Sequence, residues 1–208
     1  MRFTAFTRVA ARLRQALERL GQDKRGGAAV EFAYLTPLLI LMLLGTMELG
    51  RAINIDREFT MATGMTGDLV AREKFLGTTS GDAKTNLDAM MLAITHIMQP
   101  YDSSSLKLGV FSVQASPTDA NDTRVVWSYS FNGQSVPSKC DAYSLPSGLI
   151  GKGGSTIVVE SSIVFKPLFT NVIPGISGNL TWTDKSYHSP RNSCVDYVEN
   201  DKCSSLSC

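Results

Sequence analysis

The sequence predicts an α+β protein built on a membrane-spanning helix. Three observations carry that prediction: one long apolar run near the N-terminus, a second helical periodicity ending near residue 98, and a switch to alternating apolar residues from residue 105 onward. The expected architecture is a long N-terminal helix that includes one transmembrane span, a second amphipathic helix, and an antiparallel β-sheet within a single extracytoplasmic domain.

The apolar run from Ala28 to Leu49 is 22 residues long. At 1.5 Å per residue it reaches about 33 Å, against roughly 30 Å of bilayer hydrocarbon. Phe32 to Met47 carries no charge; Glu31 and Glu48 mark its two ends, and Arg51 opens the polar flank. A buried helix of a soluble domain rarely needs so long an uncharged stretch.

Orientation follows from the flanking charge. Residues 1–26 hold seven basic and two acidic residues, net +5, whereas the whole chain is +1, which leaves −4 for everything after residue 26. The positive-inside rule then places the N-terminus in the cytoplasm and the C-terminal part outside. Within the tail, Phe6, Val9, Ala10, Leu13, Ala16, Leu17 and Leu20 recur at helical spacing between arginines. Two readings stay open: a basic amphipathic helix on the inner membrane face, or a basic stop that only fixes topology. Glu18 and Asp23, followed by a full-length span, argue against a mitochondrial transit peptide. A secretory signal fits badly too, because its apolar core would be about 7–15 residues with a small-residue cleavage site, and here the run ends in Thr46-Met47-Glu48-Leu49-Gly50.

Gly26 and Gly27 stand between Lys24-Arg25 and the span, where missing side chains give a protease access to extended backbone. Cutting between them makes Glu31 the fifth residue of the new chain, its carboxylate close to a new α-amino group and free to pair with the amine of a neighbouring subunit. An unpaired charge at a helix centre costs about 2.5–3.5 kcal/mol on insertion scales, less near an interface, so Glu31 favours helix assembly. The competing reading is that Glu31 only complements the helix dipole, for about 0.3–1 kcal/mol, with the glycines a simple hinge.

Arg25-Gly26-Gly27-Ala28-Ala29-Val30-Glu31-Phe32-Ala33, Pro37-Leu38-Leu39 and Met47-Glu48-Leu49-Gly50-Arg51 together resemble the TadE/TadG-like family of tight-adherence (Tad, or Flp-type) pilus proteins. The resemblance implies a prepilin-type N-terminus cut by a membrane aspartic peptidase after Gly26, with Gly27 first in the mature chain and Glu31 and Phe32 as the Glu-aromatic pair that docks subunits. Its segments would be a basic cytoplasmic leader over 1–26, a transmembrane helix with a pilin-like N-terminus over 27–50, and a periplasmic or extracellular α+β domain over 51–208. It also implies the partners: a prepilin peptidase, of which the chain is a substrate, other pilins and pseudopilins, the inner-membrane assembly platform, and the membrane itself. Thr156–Leu168, Leu180-Thr181-Trp182 and Ser189-Pro190-Arg191 are similar to the strand, Pro-Leu and Pro-Arg pattern of such ectodomains.

The 158 residues from 51 to 208 suffice for one domain with its own core. Ile55, Phe59, Ala62, Leu69 and Val70 continue the first helix as an apolar stripe, with a kink expected near Gly64 and Gly67. Leu87, Met90, Met91, Ile94, Ile97 and Met98 form the second helix, capped by Ser80 and stopped by Pro100, its methionines read as a core face. Strands are expected through Leu106, Leu108 and Val110; through Val125, Trp127, Tyr129 and Phe131; and through Ile157, Val159, Ile163 and Phe165. Asn132-Gly133 marks a turn, Gly151–Gly154 a loop, and 179–183 a last strand after the Pro174-Gly175 turn.

Cys140, Cys194, Cys203 and Cys208 all lie in the exterior part, which suits an oxidising periplasm. Of three pairings, Cys140–Cys194 with Cys203–Cys208 is the one expected. A zinc site is disfavoured, since no Cys-x₂-Cys pair exists and His188 is the only nearby imidazole.

No enzyme motif stands out: His96 and His188 have no partner in the sequence pattern, and nucleophile elbow, phosphate loop, His-Glu-x-x-His and dinucleotide fingerprints are missing. Beyond residue 50, 13 basic and 15 acidic residues offer no patch for nucleic acid. No catalytic residue, metal or cofactor is expected. The expected role is that of a pseudopilin or minor pilin in a bacterial inner membrane, able to enter the extracellular pilus and to serve attachment. The alternative is a permanently anchored protein whose ectodomain binds a ligand or acts as a sensor.

Overall fold

A long apolar run must satisfy its own backbone, and the chain does so with one helix. The computed structural model describes residues 26–169 and 178–199; the basic leader up to Arg25, the Pro174-Gly175 turn, Cys203 and Cys208 lie outside them. α1 runs Gly27–Arg72 and α2 Ser80–Ile97, followed by β1 Lys107–Ala115, β2 Thr123–Phe131, β3 Ser155–Phe165 and β4 Leu180–His188. The expected α+β class, two helices and an antiparallel sheet, is the observed one. By its contacts the chain divides into two compact units between Met47 and Glu48.

In the first unit, Pro37 lies inside α1, where it has no N–H to give the carbonyl one turn back. The Thr36 hydroxyl donates to the Phe32 carbonyl at 2.7 Å, and Thr46 does the same to Leu43 at 2.9 Å. These polar side chains are satisfied by their own helix, as a lipid environment requires.

In the second unit the helix acquires a buried stripe, Ile55, Phe59, Ala62, Thr63, Thr66, Gly67 and Val70, at the three- and four-residue spacing of one helix face. α1 stays helical through Gly64 and Gly67 to Arg72. Gly67 has a packing role, because a Cβ there would stand 2.0 Å from His188 Cδ2. Only glycine lets β4 approach so closely.

α2 is capped by Thr79, not by the expected Ser80, which is the first helical residue. The Asp82 N–H donates to Thr79 Oγ1 at 3.2 Å and the Thr79 N–H donates to Asp82 Oδ2 at 3.1 Å, a reciprocal box that Ser80, with Ala83 three residues on, could not make. Hydrogen bonds from Thr78 and Thr79 hold the Asp82 carboxyl below its ordinary value. Thr79→Ala is expected to lower stability by about 1 kcal/mol, read as a lower denaturation midpoint of the detergent-solubilised full chain; an unchanged midpoint would contradict the capping role. Ala83, Leu87, Met91, Ile94 and Met98 are buried, so the methionine face is core.

The sheet order is β2-β1-β3-β4, with every neighbouring pair antiparallel. Val110 of central β1 faces Tyr129 of β2 and Val159 of β3, and Phe165 faces Leu180 across the β3/β4 pair. Leu108, Val110, Ile157, Val159 and Ile163 join the helix residues in the main core. The opposite sheet face is apolar as well: Phe111, Val113, Val125 and Val158 form a second cluster under Val136, Tyr143, Leu145 and Tyr187. The return from β2 uses Asn132 and Gly133, both at positive φ (52° and 72°), which is the reason Asn-Gly suits this turn.

Candidate functional site

The residues singled out for processing and docking fall together at the start of α1. Gly26 directly precedes the helix and Gly27 is its first residue. Both are exposed, and a Cβ added to either meets nothing within 4 Å. Glu31 and Phe32 follow on the first turns, both exposed, Phe32 at 61%. Val30, Leu35, Leu38, Leu39, Met42 and Leu43 are exposed too, and none of the apolar window is buried. Such a helix needs an apolar surrounding of lipid or other helices, and it is long and apolar enough to serve as a membrane anchor. Among the described residues Glu31 has no hydrogen bond or ion pair, so its carboxylate is available.

At the far end of the charge-free run the sequence treated Glu48 only as a boundary; the structure gives it work. Its side chain is buried, and Oε1 accepts from Arg51 Nη1 at 3.1 Å and from the Leu168 N–H at 3.2 Å. Arg51 also donates to the Lys166 carbonyl at 3.0 Å and lies 5.3 Å from the centre of the Phe165 ring. Phe165 in turn stacks on Trp182, centroids 4.7 Å apart and planes within 8°. A collar of charge and aromatic stacking thus fastens α1 to the end of β3 and the start of β4. Glu48 Oε2 is buried without a hydrogen-bond partner among the described residues. The i, i+3 spacing of Glu48 and Arg51 was the available signal, but their partners lie more than a hundred residues away.

On the outer sheet face, Tyr143 donates to Glu160 Oε1, Lys185 Nζ donates to the Tyr143 hydroxyl, and Lys185 pairs with Glu160, each at 2.7 Å. Burial, reinforced by Glu160 and opposed by Lys185, pushes the Tyr143 hydroxyl up to about 12. For Lys185 burial works against the charge, yet the bonds to Glu160 and Tyr143 outweigh it and the ammonium is raised. Each of the three groups is thus bonded to the other two. Beside it, at the end of the sheet away from Glu48, a cavity of about 450 Å³ is lined by Asn121, Asp122, Tyr143, Ser144, Leu145 and Ile150, among others; Asp122 is paired with Arg124 at 3.3 Å.

The two histidines serve packing and local bonds. His96 is exposed and bonded to Gln99, while His188 lies 3.3 Å from Asp68 Oδ1 and 3.2 Å from Ser186 Oγ. Cys140 and Cys194 are both engaged, not free thiols.

Residues 26–65 match the family model described as TadE-like protein. The match takes in both ends of the charge-free run: Gly26, Gly27, Glu31 and Phe32 at one, Glu48 and Arg51 at the other. Comparison with curated proteins and with solved structures returns no match.

Proposed function

We propose, from this TadE-like segment, that the chain is a pseudopilin or minor pilin that contributes to assembly or initiation of a Tad (Flp-type, type IVc) pilus used in surface attachment. The observation that carries the reading is the coincidence, on one exposed apolar helix, of the family match over 26–65 with an available carboxylate at Glu31. The part played is structural, not catalytic. Residues 1–26 are the cytoplasmic leader, 27–50 the single span in the bacterial inner membrane, and 51–208 the periplasmic domain, with Cys140, Cys194, Cys203 and Cys208 as its disulfide cysteines. A prepilin peptidase cuts between Gly26 and Gly27. Glu31 and Phe32 then dock the mature helix among other pilins and pseudopilins at the inner-membrane assembly platform.

Peptide mass analysis of protein from piliated cells is expected to find a mature chain beginning at Gly27, and Gly26→Val to retain the leader. Because nothing lies within 4 Å of a Cβ at Gly26, retention would report peptidase recognition and not misfolding. Uncut, Met1-containing wild-type protein in cells that hold the peptidase would overturn the processing step. The cavity at the sheet end favours a second reading, a permanently anchored protein that binds a ligand or acts as a sensor.

A further inference from the structure

Glu48 closes the charge-free run, so it marks the level at which the helix leaves hydrocarbon for the headgroup layer. Whatever Glu48 touches sits at the same level. Its Oε1 binds the Leu168 N–H at 3.2 Å, yet the Leu168 side chain is 66% exposed. Leu180, opposite Phe165 in the β3/β4 register, is 48% exposed. Trp182, half-buried, stacks on Phe165 beneath the Arg51 guanidinium. Lys166 is exposed next to them, with Asp102 near enough to feel its charge. Two exposed leucines, a tryptophan and flanking cations, linked to Glu48 through these contacts, have the composition of a membrane–water interface.

We infer that this end of the ectodomain is a lipid-contacting surface: Leu168 and Leu180 enter the outer headgroup layer around the span, with Trp182 and Arg51 at the polar boundary. The inference rests on the membrane-anchor part of the proposed function and on no pilus role. Seating two leucines in the interface explains why the strand ends nearest Glu48 carry exposed apolar side chains where a solvated rim would be polar. The opposite end of the sheet is the internal control: β3 is 11 residues long, roughly 30 Å at about 3.3 Å per residue, and Leu149, also exposed, precedes its Ser155 end in the chain.

The test uses the full chain in phosphatidylglycerol/phosphatidylcholine vesicles, with the photoreactive residue p-benzoyl-phenylalanine placed singly at Leu168, Leu180, Leu149 or Ile40, and lipid adducts read by mass spectrometry. All four positions are exposed, and unchanged protease resistance checks each variant's fold. Adducts at 40, 168 and 180 with none at 149 are expected. Adducts at 40 but none at 168 and 180 would overturn the lipid contact and leave the anchor standing, as would equal yields at 168, 180 and 149. No adduct at 40 would overturn the anchor reading, and this inference with it.

Discussion

Glu31→Gln is expected to abolish pilus assembly while leaving the protein at its normal level in the membrane. Glutamine is close to glutamate in volume and helix propensity, and Glu31 is exposed on α1 with no partner among the described residues, so the substitution leaves the folded chain alone. What it removes is the charge. A carboxylate that pairs with the α-amino group of a neighbouring mature helix contributes a charge-assisted hydrogen bond of about 1.5–3 kcal/mol, and every 1.4 kcal/mol is tenfold in affinity. Each contact of this subunit with its neighbours is therefore weakened by roughly ten- to a hundredfold, and a filament that depends on this subunit for its assembly or initiation does not form. Electron microscopy of surface pili, together with capture of assembly partners, gives the readout. Normal piliation and capture would remove docking from the account of Glu31 and favour the anchored sensor.

The elements closest to the sequence were those whose physics is local. The apolar length of 28–49, the period-3.6 burial of Leu87, Met91, Ile94 and Met98, and the period-2 burial of Val125, Trp127 and Tyr129 each appear where the pattern put them. What the pattern missed lies mostly where two distant segments meet. Gly67 read as a weak point of the helix because its reason, the ring of His188, arrives from β4. The part of the second cluster at Phe111, Val113 and Val158 was hidden because β1 and the first half of β3 are buried on both faces and show no alternation to read. Ser80 lost the cap to Thr79 because only the latter has Asp82 three residues on. The candidate site divides the same way: Gly26, Gly27, Glu31 and Phe32 stand in one short motif, whereas the collar of Glu48 and Arg51 takes its partners from Phe165, Lys166 and Leu168.

That collar gives the largest expected effect on stability, and an asymmetric one. The Glu48 side chain is 5% exposed and that of Arg51 30%. Arg51→Ala therefore strands a carboxylate in a place where, among the described residues, one oxygen already has no partner and the other keeps the Leu168 N–H. Leaving a buried charge uncompensated costs about 3–5 kcal/mol; with the guanidinium partly in water, a loss of about 2–3 kcal/mol is expected. Glu48→Ala leaves a cation that still has water, the Lys166 carbonyl and the Phe165 ring, so its cost should be smaller, about 1–2 kcal/mol. Once Glu48 is alanine no stranded carboxylate remains, and adding Arg51→Ala should then cost about 1 kcal/mol or less. Denaturant unfolding of the detergent-solubilised full chain, followed through tryptophan fluorescence, measures all four corners of the cycle. Additive losses, or a larger loss for Glu48→Ala than for Arg51→Ala, would show that the pair is a solvated surface contact and that α1 is fastened to β3 by packing alone.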